Sequence, residues 1–351
     1  MSNADTVGGR PTLNDIAVRA GVSLATVDRV LNERGGVSDE TTRRVLIAAR
    51  GVDLKRFLPQ PHMALLRIDV LLIRPDTEYF QRLNLAFSQV ARKLGRSVTL
   101  QRTFLDETCA NEIAKRIRST TSNGIITHIG QEDLELSNAL REAYSVGKPV
   151  VNVTADFPDS TRGDYVGIDN YRAGRTAAFF MSRMANGDGV LLVLRHSIAY
   201  RGQAERVRGF VDGILHRRPD LKIAEILDVR DQDAIARSLV STALKKQRNV
   251  VGVYCAGDGR RGVGDALHAA GSGNKVIFVA HELTETTAAM LRLGVLDLVI
   301  DENPERQAAQ AVDVVLHRLG NTASAPSTTV EFSLHTVENI PLLFPGGRSI
   351  L

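Results

Sequence analysis

The chain has 351 residues, 43% hydrophobic and 24% charged, with two cysteines and a formal net charge of +4. This balance fits a soluble globular protein of two or three domains and argues against a disordered or fibrous chain. No apolar run reaches the length of a membrane span, the N-terminus lacks the layout of an export signal, and Cys109 and Cys255 lie far apart and near no His-rich run, so a cytoplasmic protein without disulfide framework or zinc site is expected.

Met1 to Ala4 read as start-site or expression residues and stand outside the fold argument. Residues 1–60 hold nine Lys/Arg against seven Asp/Glu, an excess too small to name a polyanionic partner. They contain no strand-like run and three short amphipathic segments. Thr12 can cap a first helix whose Leu13, Ile16, Ala17 and Ala20 share one face. Gly21, within Ala20-Gly21-Val22, suits a tight turn because it enters the left-handed region without steric cost. Ser23 caps a second helix with Val27, Val30 and Leu31 turned inward. A third starts at Ser38, with Asp39 and Glu40 favourable at its positive end, and buries Val45 and Ala48 or Ala49. The pattern is a helix-turn-helix on a three-helix core. Such a unit can lay its second helix in a DNA major groove, with Leu24, Ala25 and Thr26 toward the bases and Arg29 and the Arg43/Arg44 pair toward phosphate or base. A helical hairpin that only packs is the alternative.

From Ile68 onward, apolar runs alternate with helical patterns: IDVLLI (68–73), SVTLQRTF (97–104), NGIITHI (123–129), KPVVNVT (148–154), GVLLVL (189–194), VVGVYCA (250–256), KVIFVAHE (275–282) and LDLVID (296–301). Runs buried on both faces and joined by helices predict parallel sheet covered by helices, and eight such runs favour two lobes with a ligand cleft between them. The expected organisation is a headpiece at 1–60, a hinge or linker at 61–67, and a two-lobed effector-binding and dimerisation domain at 68–351.

TLNDIAVRAGVSLATVDRVLNERGGVSDETTRRVLIAA closely resembles the N-terminal segment of the lactose-repressor family of bacterial transcription regulators, and the likeness continues more loosely through most of the chain. It implies an all-α helix-turn-helix headpiece followed by an α/β periplasmic-binding-protein-like core of two parallel-sheet lobes. Ser23, Thr26, Arg29, Val30, Leu31, Asn32 and Val37-Ser38 match the family pattern. With Thr12, Leu24, Ala25 and Arg43, the matching polar positions of the headpiece make up the expected DNA-contacting set. Asp28 departs from it, since a Ser is usual there; a carboxylate near phosphate is expected to pair with Arg29 or Arg44, a cytosine amino group being the other partner. The family's hinge helix pushes a Leu into the minor groove. Here Pro59 is kept and Leu66 stands at the matching offset, but Gln60 replaces an Asn and Pro61 interrupts. A stiff connector over 57–66, with Leu66 entering the core, is the favoured reading.

The resemblance implies a sugar, polyol or sugar acid between the lobes, held by carboxylates and guanidinium groups that bond hydroxyls and by rings that cover apolar faces. It points to Asp76, Tyr79 and Phe80 after the first strand, Tyr200, Arg201 and Arg206 in one loop and its helix, and Asp258, Glu282 and Glu302 at later strand ends. Gly257 stands where the family has an Asn, and Thr154 replaces a common Asp that Asp156 can supply. His281 reads as a hydrogen-bonded structural residue. The implied partners are operator DNA, a small-molecule effector and a second copy of the chain, with no cofactor and no metal. Because GGRSIL lacks leucine heptads, a dimer is expected rather than a tetramer held by a terminal coiled coil.

Two rivals share parts of this pattern. Gly257-x-Gly259-x-x-Gly262 follows a strand, opens a helix and precedes Glu282, the dinucleotide-binding fingerprint of an NAD-dependent enzyme. It comes late in the chain, and Arg260-Arg261 makes its turn bulky. An exported sugar-binding protein would share the core but needs an export signal in place of the headpiece. No Ser/His/Asp or Cys/His constellation argues for covalent catalysis.

Overall fold

The computed structural model describes residues 12–341 apart from 33, 51–64, 95–96, 130–132, 157–162, 198–199, 248, 273–274 and 323. The expectations placed on Pro59, Gln60, Pro61 and the GGRSIL tail lie outside these residues.

Three helices come first: α1 (Leu13–Ala20), α2 (Leu24–Leu31) and α3 (Asp39–Arg50). Thr12 and Asp15 cap α1 reciprocally, the Asp15 carboxylate accepting from the Thr12 amide at 2.7 Å. This satisfies donors that a helix start leaves open. Gly21 ends the helix at φ 62°, ψ 43°, where a side chain would be strained. Ser23 caps α2 by accepting from the Thr26 amide at 3.2 Å. Ile16, Val27, Leu31, Val45 and Leu46 meet in one small core with Ala17, Ala20 and Ala49. Each large side chain there contributes about 1.5–3 kcal/mol by leaving water.

The first lobe holds β1 (Leu66–Ile73), α4 (Glu78–Lys93), β2 (Val98–Leu105), α5 (Ala110–Ser119), β3 (Gly124–Thr127), α6 (Leu134–Ser145), β4 (Val150–Val153) and β5 (Asp164–Val166), with parallel strand order β2-β1-β3-β4-β5. Leu66 opens β1 and is buried in its core, so the strand begins two residues before the run read in the sequence.

The second lobe follows with α7 (Asn170–Met184), β6 (Gly189–Arg195), α8 (Arg201–Arg217), β7 (Leu221–Asp228), α9 (Asp233–Lys246), β8 (Val250–Cys255), α10 (Arg260–Ala269), β9 (Ile277–His281), α11 (Glu285–Arg292) and β10 (Leu298–Asp301). Helix α12 (Pro304–Arg318) then returns to pack on α4, β3 and β4 of the first lobe, and β11 (Ser333–His335) rejoins the second. The second sheet runs β11-β10-β9-β8-β6-β7, with β11 its antiparallel edge. The chain therefore passes between lobes near 167–170, 302–304 and 328–333. Two of these passages are laced together, the Val330 amide donating to the Gly167 carbonyl at 2.9 Å. Helices α7 and α8 cross almost backbone to backbone. A Cβ on Gly174 would stand 1.9 Å from the Arg206 carbonyl oxygen, and one on Gly209 2.1 Å from that of Tyr171.

Three strands escaped the sequence reading: β5, β7 and β11. Each is short or lies at a sheet edge, and β7 mixes buried Leu221 and Leu227 with exposed Lys222 and Asp228. Such a segment lacks the continuous apolar run of a strand covered on both faces.

Candidate functional site

Among the described residues, the outer face of α2 is exposed. Leu24 is 50% exposed, and Ala25 and Arg29 are exposed, while Val27, Val30 and Leu31 hold the opposite face of α2 in the core. Thr12 and Ser23 sit exposed at helix starts, and the half-buried Thr26 places its Oγ 2.9 Å from that of Ser23. The side chain of Arg43 lies outside the described residues. Two expectations change. Asp28 pairs with neither Arg29 nor Arg44: it accepts from Arg34 at 2.8 Å and from the Asn32 amide group at 2.6 Å. The turn after α2 carries Arg34 back over that helix, its amide donating to the Arg29 carbonyl at 3.0 Å. Asn32 is accordingly engaged on its own helix end. Arg44, expected at phosphate or base, donates to the carbonyls of Ala20 and Gly21 and so braces the turn before α2.

The second site is the cleft. Strand after strand delivers a polar side chain from its C-terminal end: Arg74 after β1, His128 after β3, Thr154 after β4, Asp231 after β7, Asp258 after β8, Glu282 after β9 and Glu302 after β10. With Tyr79 and Phe80 of α4 and Tyr200, Gln203 and Arg206 around α8, they enclose a cavity of about 80 Å³. The lobes meet across it. Arg74 reaches Asp231 at 2.6 Å, and the Tyr200 hydroxyl donates to the Glu107 carboxylate. Farther out, Arg82 of α4 holds Asp301 and Glu305 at 2.7 Å each and donates to the Leu283 carbonyl at 2.8 Å. Thr286 donates to Glu78 at 2.8 Å.

At the base, Arg206 uses every guanidinium nitrogen. It donates to Asn170 Oδ1 at 2.7 Å, to the Ala256 carbonyl at 2.9 Å and to Glu302. Since Asn170 and Glu302 stand at two passages between lobes, this one side chain ties the cleft floor to the hinge. Burial is deep enough to shift protonation. Burial first and Asp301 second push the Glu282 carboxyl up to about 8, against the pull of Arg206, Arg260 and Arg82. Burial holds the His128 imidazole down to about 4, so it is neutral.

Of the cleft residues expected from the sequence, Tyr79, Phe80, Tyr200, Arg206, Asp258, Glu282 and Glu302 line the cavity together. Asp76 does not; it is exposed in a separate groove beside Asp106. Arg201 does not line it either, its guanidinium standing 3.5 Å from Glu205 one turn along α8. Asp156 is likewise absent from the lining, where Thr154 stands. His281 is buried against Tyr254, with Nε2 2.8 Å from the Tyr254 hydroxyl. Arg74, His128, Gln203, Asp231 and Arg260 were missed. Asp231 follows the edge strand that the pattern did not reveal, and Arg260, read as bulk at a turn, is folded inward at 3% exposure.

The glycine fingerprint has another use here. The Gly259 amide donates to Asp258 Oδ1 at 2.8 Å, the Asp258 amide to Asp231 Oδ1 at 2.8 Å and the Gly262 amide to Asp233 Oδ1 at 3.1 Å. Carboxylates thus occupy the amides that a pyrophosphate needs. Gly262 serves close packing, since a Cβ there would lie 1.9 Å from the Asp233 carbonyl oxygen.

Comparison with known proteins adds two family matches: the periplasmic binding protein domain over residues 68–322, and the bacterial regulatory proteins of the lacI family over residues 12–55. The HTH-type transcriptional regulator DegA of Bacillus subtilis (strain 168) is 27% identical over 207 residues, 57% of this chain. The match spans 60% of DegA, short of two thirds of its length. Among solved structures, an ABC transporter periplasmic solute binding protein from Actinobacillus succinogenes 130z with bound D-allose superposes at a TM-score of 0.70 and 18% identity, over 78% of this chain and 98% of that one. An ABC transporter solute binding protein from Burkholderia graminis C4D1M in complex with D-arabinose gives 0.72 and 21%, over 80% and 98%. At these identities the likeness establishes the two-lobed fold.

Proposed function

The chain belongs to the lacI family of bacterial regulatory proteins, a headpiece of that family on a periplasmic-binding-protein core, and from that premise we propose that it is a DNA-binding transcription regulator, a repressor, governed by a small hydroxylated molecule held between its lobes. The observation that carries this reading is α2 itself: its back is sealed into the headpiece core while Leu24, Ala25 and Arg29 face outward, exposed among the described residues. A helix so presented fits the major groove, with the caps Thr12 and Ser23 near the backbone and Arg29 and Arg43 supplying positive charge to phosphates.

The headpiece takes residues 1–60, and the linker that follows ends where β1 opens the core at Leu66. One headpiece reads one half-site, so a homodimer on a roughly palindromic operator, paired through the cores, completes the assembly. Acting on DNA places it in the cytoplasm; among the described residues no helix is long and apolar enough to cross a membrane. The effector sits in the cleft of a core whose structural neighbours bind D-allose and D-arabinose, and it prefers one lobe arrangement, shifting operator affinity by its differential affinity for the two states. The occupied helix-start amides speak against the NAD-dependent alternative.

Selection from random duplexes with the full chain yields the operator for the test. Ala25→Glu then abolishes the mobility shift while the circular dichroism spectrum and melting of the protein stay unchanged, because the substitution sets a carboxylate against the duplex without touching the core. An unchanged shift would remove α2 from the groove.

A further inference from the structure

Resting on the reading of the cleft as an effector site, we propose that it takes an uncharged polyhydroxylated molecule and turns away the carboxylate- and amine-bearing counterparts, with Glu282, Glu302 and Tyr79 contacting its hydroxyls. Charge bookkeeping around the cavity supports this. Three guanidinium groups line it, and each already has carboxylate company: Arg74 with Asp231 at 2.6 Å and Glu107 at 3.7 Å, Arg206 with Glu302, and Arg260 with Asp258 at 3.2 Å. Among the described residues of the lining, an anion therefore meets only guanidinium groups that a carboxylate already balances.

The buried atoms that do lack a partner point the same way. Among the described residues of the lining they are the Tyr79 hydroxyl, one carboxyl oxygen each of Glu282 and Glu302, and Arg260 Nε. Unpartnered buried polar atoms are costly, so a ligand that satisfies them gains what the empty site lacks. Two of the four are carboxyl oxygens that accept from hydroxyls, and of these the Glu302 carboxylate repels an incoming carboxylate or phosphate. Arg260 Nε offers one hydrogen to a hydroxyl oxygen, on a guanidinium that Asp258 already balances. The amides that could have cradled an anion at the start of α10 are taken by Asp258, Asp231 and Asp233.

An ammonium group meets the opposite difficulty. With Glu282 protonated, the described residues of the lining carry three guanidinium charges against the carboxylates of Asp231, Asp258 and Glu302, a balance reached before a ligand arrives. A protonated Glu282 both donates and accepts, as a vicinal diol requires.

The test is calorimetric titration of the full chain at pH 6.5 with matched probes: D-xylose, D-galactose and ribitol, the acids D-xylonate and D-galactonate, and the amine D-galactosamine. At least one neutral compound is expected to bind, and about a hundredfold more tightly than its acid or amine counterpart, since like-charge juxtaposition costs several kcal/mol. Glu282→Gln should keep that neutral ligand, because an amide also donates and accepts. Glu302→Gln frees Arg206 and should raise the affinity for the matching acid about tenfold; where it fails to fold, the wild-type ratio and the Glu282→Gln result decide. An acid or amine bound as tightly as the neutral member overturns the inference and leaves the effector cleft standing. Silence of the whole panel overturns both.

Discussion

Glu282 carries the chemistry of the cleft at the scale of one residue. Its backbone sits at φ 67°, a conformation that costs a residue with a Cβ about 1–3 kcal/mol. Its amide donates to the Ile300 carbonyl at 2.9 Å and its own carbonyl accepts from Thr287 Oγ at 2.8 Å, which hold the turn and aim the carboxyl into the cavity. The groups acting on that carboxyl are Asp301, which raises its pKa, and Arg206, Arg260 and Arg82, which lower it, with burial outweighing them all and leaving it near 8. A carboxyl raised from 4.5 to about 8 retains its proton in the folded state where the unfolded chain has lost it. Its contribution is therefore fully present below pH 4.5 and is lost as pH rises through 8. Glu282→Gln removes this dependence: thermal midpoints taken from pH 5 to pH 9 should fall less steeply for the variant than for the parent. Parallel curves would show that Glu282 titrates normally. The position of Glu282 at a strand end was legible in the sequence. Its protonation was not, because Asp301 and the three arginines arrive from other elements. Asp28 teaches a related lesson: its departure from the family was plain, but its partner Arg34 depends on how the chain turns after α2.

At the scale of elements, the parallel strands announced themselves through apolar runs, and the three headpiece helices through caps, a turn glycine and helical spacing. Edge strands and returning passages did not. β7 alternates like a half-exposed strand, and β11 comes home antiparallel after α12 has crossed to the other lobe; neither feature has a local signature. Asp231 was missed with β7, and with it the Arg74 contact across the cleft. The α7/α8 contact is where an element-level claim can be tested. Gly209→Ala sets a Cβ against the Tyr171 carbonyl in a crossing that has no room for it, and forced overpacking costs about 1–3 kcal/mol. Urea denaturation should show a midpoint lowered accordingly. An unchanged midpoint would mean the helices separate freely, and with them the floor on which Arg206 stands.

For the whole molecule, the lobes are drawn together on both sides of the cavity by Arg74–Asp231, Tyr200–Glu107, Arg82–Asp301 and Thr286–Glu78. Meanwhile Arg206 joins the cleft floor to Asn170 and Glu302 at the passages between lobes. On the proposed reading, a ligand that completes Tyr79, Glu282 and Glu302 favours this arrangement of the lobes over others. Because β1 opens the first lobe directly after the headpiece linker, that reading links cleft occupancy to headpiece placement through one chain segment. The most direct test is the dissociation constant of the full chain for its selected operator duplex, followed by fluorescence anisotropy with and without a saturating neutral polyol. The constant is expected to change by about five- to 150-fold, the usual span of coupling between two sites. The same constant in both conditions would contradict that link.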